Sequence, residues 1–156
     1  MHVVVRVTAV EFVAVESLFN FTDPEEALGF VKETKINVFA PSVGNYHGVA
    51  KIVDKKILKL DLKRLAKIGK IVPVPLALHG ASGFPAGQIK SAIKAGVRVI
   101  NIDSELRLSF AQAERTFFEM NINEYDPRKI LQPAILAMQK VVEKKIIVFG
   151  SLNKAR

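Results

Sequence analysis

Ile71–Ser104 reads IVPVPLALHGASGFPAGQIKSAIKAGVRVINIDS, and this stretch decides the fold. A short apolar run, Pro75–Leu78, ends on His79-Gly80-Ala81-Ser82-Gly83. Pro85 opens a helical pattern that Gly96 closes. A second apolar run, Val97–Ile100, ends on Asn101-Ile102-Asp103-Ser104. Polar residues stand only where each strand stops. The periodicity predicts a β-loop-α-β unit. A right-handed crossover makes the strands parallel and puts both polar ends at one edge of the sheet. In parallel α/β folds that edge binds ligands.

The flanking chain repeats the layout. Thr22-Asp23-Pro24-Glu25-Glu26 is a helix start, with Asp23 as cap and Pro24 in the first turn. Ala27, Phe30 and Val31 form its expected buried stripe, and the helix should stop near Thr34. Lys35–Ala40 reads as a strand running into Pro41-Ser42-Val43-Gly44-Asn45-Tyr46-His47-Gly48. Leu62, Leu65 and Ala66 mark a helix expected to close near Gly69. Val3–Val10 reads as an N-terminal strand, giving a fourth unit. After Ser104, Leu106, Phe110, Ala113 and Phe117 recur on one helical face. Asp126-Pro127 should start a short helix, and Pro133 should force a restart. Ile135, Met138, Val142 and Ile146 then carry a last helix up to Gly150.

Composition sets the bounds. The chain has 156 residues and is 49% hydrophobic, enough for one domain with a sizeable core. There is no cysteine, which excludes disulfides and thiolate metal sites and suits a reducing cytoplasm. The N-terminus lacks the basic region of a signal peptide. The longest stretch without a charged residue, Ile71–Ile89, holds three prolines and three glycines, so it is no membrane helix. The net charge of +8 raises the question of nucleic acid. No aromatic residues interleave with the lysines as stacking platforms. An anionic small substrate or a lysine-rich surface accounts for the charge.

Of three histidines, His2 lies at the terminus and says little. His47 and His79 each follow a predicted strand, each before a glycine. Parallel strands put them on one face, where their imidazoles suit zinc. Two hydrogen-bonded loop histidines would look the same, and a catalytic zinc normally takes three protein ligands. A shared ion requires the two imidazoles within about 6 Å of each other, given Zn–N distances of roughly 2.0–2.1 Å. Gly80–Gly83 and Asn101–Ser104 look like anion cradles, with backbone N–H groups and the Ser82 and Ser104 hydroxyls ahead of helix N-termini. Ordinary capping explains them equally well. Lys51 could add a point charge.

Six motifs in order resemble the class II, zinc-dependent fructose-bisphosphate aldolases and the similar tagatose-bisphosphate aldolases. They are TDPEEA at Thr22–Ala27, VGNYHG at Val43–Gly48, PLALHGASG at Pro75–Gly83, INIDSELRLSF at Ile100–Phe110, YDPRK at Tyr125–Lys129 and FGS at Phe149–Ser151. The match covers about Thr22–Ala155. The resemblance implies a partial TIM (β/α)8 barrel: the last three to four βα units plus C-terminal helices, as one incomplete domain over residues 1–156. It implies His47 and His79 as two of three Zn2+ ligands. Gly48, Lys51, Gly80 and Ser82 match positions holding a substrate phosphate and a neighbouring monovalent cation. Asn101, Asp103 and Ser104 match those holding the dihydroxyacetone phosphate half. Arg128 matches an arginine offered to the other phosphate across a dimer interface. In the family, zinc polarises the ketone oxygen during reversible aldol cleavage, a lyase step of glycolysis and gluconeogenesis.

The departures are as informative. Such a barrel takes about 250 residues, and this chain has 156. The family's third zinc histidine and its catalytic aspartate lie in a His-Asp motif that has no counterpart before His47. Val3–Val10 stands where a glutamate-bearing strand is expected, Ser104 where threonine is usual, and Ala40-Pro41-Ser42 where an alanine-isoleucine sequence is usual. The expectation is therefore a truncated, cytoplasmic C-terminal part. It should be inactive alone and associate with a second copy or a complementing N-terminal part, without nucleic acid or membrane. The competing expectation is a non-catalytic phosphate-binding remnant. Fructose and tagatose bisphosphate differ at one stereocentre, and no residue here separates them.

Overall fold

A computed structural model of the protein describes residues 4–6, 21–48 and 59–154. Its centre is a parallel sheet built by the stretch quoted above. Strand β1 is Val4–Arg6, β2 is Leu76–Leu78 and β3 is Val97–Asn101, in the spatial order β1-β3-β2. Both pairings are parallel, with Val4 opposite Val99 and Leu78 opposite Ile100. Leu76, Ala77 and Leu78 are all buried. That is the mark of a parallel strand covered on both faces, and each Leu or Ile so buried contributes about 1.5–3 kcal/mol.

The strand expected over Lys35–Ala40 shrinks to a single bridge. Phe39 pairs with Leu76, donating from its N–H to Pro75 O at 3.0 Å and accepting from Ala77 N at 2.8 Å. Lys35 sits in the left-handed region at φ 55°, closing the preceding helix, so little chain is left to extend. Phe39, β2 and β3 still run side by side in chain order. The N-terminal strand does not continue that order. The sequence places β1 ahead of Phe39, yet it pairs with the far side of β3. The remainder of the Val3–Val10 segment falls outside the described residues.

Helix α1 (Pro24–Thr34) starts as its sequence dictates, with Asp23 Oδ1 accepting from Glu25 N at 2.8 Å and Glu26 N at 3.2 Å. Ala27 and Val31 are buried, but Phe30 is 51% exposed, its ring 6.1 Å from that of Phe39. Helix α2 (Leu62–Ile71) is capped by Asp61, which accepts from Arg64 N. That bond, ahead of the Arg64 guanidinium, holds the Asp61 carboxyl below its ordinary value. Gly69 does not stop α2, which continues to Ile71. It marks instead where α2 crosses the end of helix α3 (Ala86–Lys94): a Cβ on Gly69 would sit 2.0 Å from Ala95 O.

Helix α4 (Ser104–Met120) and helix α5 (Pro127–Phe149) form a hairpin. Pro133 does not break α5, which is one continuous helix. The proline removes a single N–H near the N-terminal end of the helix. The buried side of α5 follows expectation at Met138 and Val142 and departs from it at Ile135. Ala134 and Phe149 are buried and Met138, Val141 and Val142 pack on the core, while Ile135 is 58% exposed. Of the face expected for α4, only Leu106 is fully buried. Among the described residues no helix is long and apolar enough to cross a membrane.

Two glycines separate packing from propensity. Gly69→Ala should destabilise the protein by about 1–3 kcal/mol, because a backbone carbonyl cannot yield as a side chain does. Gly29→Ala, in the middle of α1 with nothing within 4 Å of the added carbon, should stabilise it by about 0.5–1 kcal/mol. Urea denaturation of both variants checks the pair of opposite signs.

Candidate functional site

The parallel sheet delivers three loops to one edge. Phe39 leads into the His47 loop, β2 ends at Leu78 before His79, and β3 ends at Asn101. The His47 and His79 rings lie with centroids 6.1 Å apart and planes tilted by 44°. His47 is exposed and His79 half-buried.

Each loop is tied into the body of the protein. Val43 is fully buried, and its O accepts from Asp61 N at 2.8 Å. Ser42 N donates to Thr22 Oγ1 at 2.8 Å, and Thr22 N donates back to Ser42 O at 2.9 Å. Asn45 Oδ1 accepts from Val43 N at 2.8 Å, while Asn45 Nδ2 donates to His79 O at 3.1 Å. The two histidine loops also touch directly. Gly80 has φ 59°, and a Cβ there would lie 2.5 Å from Tyr46 O. Only glycine allows both the left-handed backbone and this approach.

The second pair of loops is joined in the same way. Ala81 N donates to Asn101 O at 3.3 Å, and Asp103 N donates to Ser82 Oγ at 3.3 Å. Ser82, Asn101 and Ser104 are buried. Ser82 uses its oxygen as acceptor here, so its hydroxyl proton remains available to a ligand. Asp103 does not cap α4 with its side chain; it pairs with Arg107 at 2.8 Å. Glu105 accepts from Gly83 N at 2.6 Å and pairs with Lys145 at 2.6 Å. Both carboxylates bordering these loops thus face a cation.

The structure therefore brings His47, His79 and Gly80 together, and Ser82, Asn101, Asp103 and Ser104 together. Gly48, at φ 123°, lies just beyond His47 in open space. Lys51 falls outside the described residues. Arg128 does not join either group. Its side chain is 89% exposed and held by Asp126 at 2.8 Å, and it sits about 25 Å along α5 from Lys145. That side-chain bond, and then the Arg128 N–H, holds the Asp126 carboxyl below its ordinary value, while the Arg128 guanidinium is raised in turn. Glu124 is lowered by the Asp126 N–H and then by Lys129, whose ammonium is raised by the same carboxylate.

Zinc fits the histidine pair as far as the pair goes. Two imidazoles on one tetrahedral zinc have ring centres roughly 5 Å apart, from Zn–N near 2.0–2.1 Å. The observed 6.1 Å is wider by about 1 Å, so the rings would have to approach for both to bind one ion. No group of three or more His, Cys, Asp or Glu side chains gathers among the described residues.

Residues 5–154 match the model of "Fructose-bisphosphate aldolase class-II". The chain belongs to the class II fructose-bisphosphate aldolase family. Among solved structures it is similar to the YdjI aldolase from Escherichia coli K12, at 33% identity and TM-score 0.71, covering 87% of this chain and 48% of that one. A putative fructose-1,6-biphosphate aldolase from Coccidioides immitis matches at 32% identity and TM-score 0.73, covering 86% and 45%. The fructose-bisphosphate aldolase from Campylobacter jejuni matches at 25% identity and TM-score 0.72, covering 86% and 46%. This aldolase-family chain thus spans about half the length of the solved structures it matches.

Three side chains with clear structural parts had no assigned role in the sequence reading. Asn45 sat unremarked inside VGNYHG. Glu105 stood unremarked inside INIDSELRLSF. Lys145 betrays itself only in retrospect, as a lysine one turn from buried Phe149 on the inward side of α5.

Replacing Gly80 by alanine should cost more than the ordinary strain of φ 59°, because the loop must also retreat from Tyr46. The expected loss is about 2–4 kcal/mol of stability. It should come with chemical-shift changes at both His47 and His79. Amide spectra of Gly80→Ala that change only within residues 78–82 would contradict the contact.

Proposed function

We propose that this chain supplies the C-terminal half of a class II aldolase site, for reversible cleavage of fructose 1,6-bisphosphate to dihydroxyacetone phosphate and glyceraldehyde 3-phosphate. The observation that carries the proposal is the neighbouring placement of the His47–His79 pair and the Ser82/Asp103 loops at one sheet edge, in a chain of this family. His47 and His79 would hold Zn2+, which when bound supplies a Lewis acid for the substrate ketone. Gly80 and Ser82 offer a backbone N–H and a hydroxyl to a phosphate, with Lys51 and Gly48 beside them and a monovalent cation nearby. Asn101, Asp103 and Ser104 take the dihydroxyacetone phosphate half. The α4 N-terminus behind Ser104 favours its negative charge. Arg128, extended into solvent far along α5, suits a phosphate bound by a neighbouring subunit rather than by its own chain.

A third zinc ligand and a catalytic acid/base must come from elsewhere. General acid–base help is typically worth about 10²–10⁴ in rate, so its lack silences a site that still binds. The partner that fits is a polypeptide carrying the N-terminal half of such an enzyme, or a second copy of this chain, acting in the cytoplasm. Among the described residues no strand lies outside Phe39, and such a partner's strands would pair at that edge.

Complementation tests this directly. The purified chain with Zn2+ should show no cleavage of fructose 1,6-bisphosphate. Adding an N-terminal half of a class II aldolase should restore it, and His79→Ala should abolish the restored rate. Turnover by the chain alone at the rate of a working enzyme, or complementation indifferent to His79, would overturn the proposal.

A further inference from the structure

We propose that Asn45 is a positioning residue that sets the spacing of His47 and His79 for a shared divalent cation. The proposal rests on the metal reading above and deepens it. Asn45 is the side chain through which one histidine loop grips the backbone of the other histidine. Its Oδ1 is fixed by Val43 N at 2.8 Å, and Val43 is fully buried and anchored to Asp61. The amide plane is therefore set by the core rather than by solvent. Its other end, Nδ2, donates to His79 O at 3.1 Å. An amide has a donor and an acceptor at a fixed separation, and here each is used on a different loop. His47 follows two residues later, across the Tyr46 peptide that Gly80 presses against. The Asn45 bond and the Gly80 contact together hold the His79 backbone at one distance from the His47 backbone. That backbone spacing decides which side-chain rotamers bring a nitrogen of each ring to about 2.0–2.1 Å from one zinc.

A turn-forming asparagine with no bearing on the histidines makes a different prediction, and the variants separate the two. Asn45→Asp keeps an acceptor for Val43 N and so keeps the turn. It replaces the donor with an oxygen that repels His79 O. Its added negative charge attracts cations, so any weakening of metal binding cannot be a charge effect. Thr22→Val removes the Ser42 N–H partner at the far end of the same loop, without touching His79.

The probe is Zn2+ alone, titrated at pH 7.5 against the full chain while the imidazole 15N resonances of both histidines are followed. In the unaltered protein His47 and His79 should shift on one common curve. In Asn45→Asp the common curve should split or its midpoint rise about tenfold or more, with the urea midpoint of unfolding little changed. Thr22→Val should lower the urea midpoint yet keep the common curve. If Asn45→Asp does not fold, Asn45→Ser, which also accepts from a backbone N–H but carries no amide, gives the same comparison. An Asn45→Asp titration that matches the unaltered one overturns this proposal and leaves the shared-metal reading standing. Separate curves for the two histidines in the unaltered protein overturn both.

Discussion

The contact on which this structure depends is the approach of the Gly80 backbone to the Tyr46 carbonyl. A parallel sheet brings strand ends to one edge, but strand ends alone leave side chains facing in many directions. At Gly80 the β2 loop turns left-handed against the loop that carries His47, with no room for a Cβ. The Asn45 bond to His79 O runs alongside. Two loops far apart in sequence thereby behave as one surface. The Ser82–Asp103 link then extends that surface to the end of β3, and the Glu105–Lys145 pair fastens it to α5.

The position of β1 changes the view of how the rest of a barrel would be added. Phe39, β2 and β3 follow barrel order. The strand that chain order places before Phe39 lies instead beyond β3. One edge of the sheet is thus occupied by the chain's own N-terminal segment. Among the described residues, no strand lies outside Phe39 on the other edge. In the proposed assembly, strands completing a barrel would pair on the Phe39 side and meet β1 at the other.

Much of this was legible in the sequence. The apolar runs of Pro75–Leu78 and Val97–Ile100, with polar residues only at their ends, fixed the βαβ unit and the edge that bears the site. Asp23 and Asp126 announced helix starts because a carboxylate before a helical pattern has few other uses. What failed did so for tertiary reasons. Gly69 read as a stop, because a glycine's need for close packing looks the same in sequence as a need for a left-handed turn. Pro133 read as a break, yet a proline near the start of a long helix removes only one N–H, and the helix runs through it. The stripe of α5 held at Met138 and Val142 but counted the exposed Ile135 and missed Lys145, a charged residue that takes an inward position with Glu105. Asn45 was invisible because its partner, a backbone carbonyl, has no sequence signature.

The family assignment and the geometry meet at one point in space, between the imidazoles of His47 and His79. Diffraction data from crystals grown with Zn2+, recorded on either side of the zinc absorption edge, examine that point most directly. The account predicts an anomalous peak within bonding distance of a ring nitrogen of both histidines. Zinc found only at surface carboxylates or at a single histidine, with the other ring turned away, would contradict it.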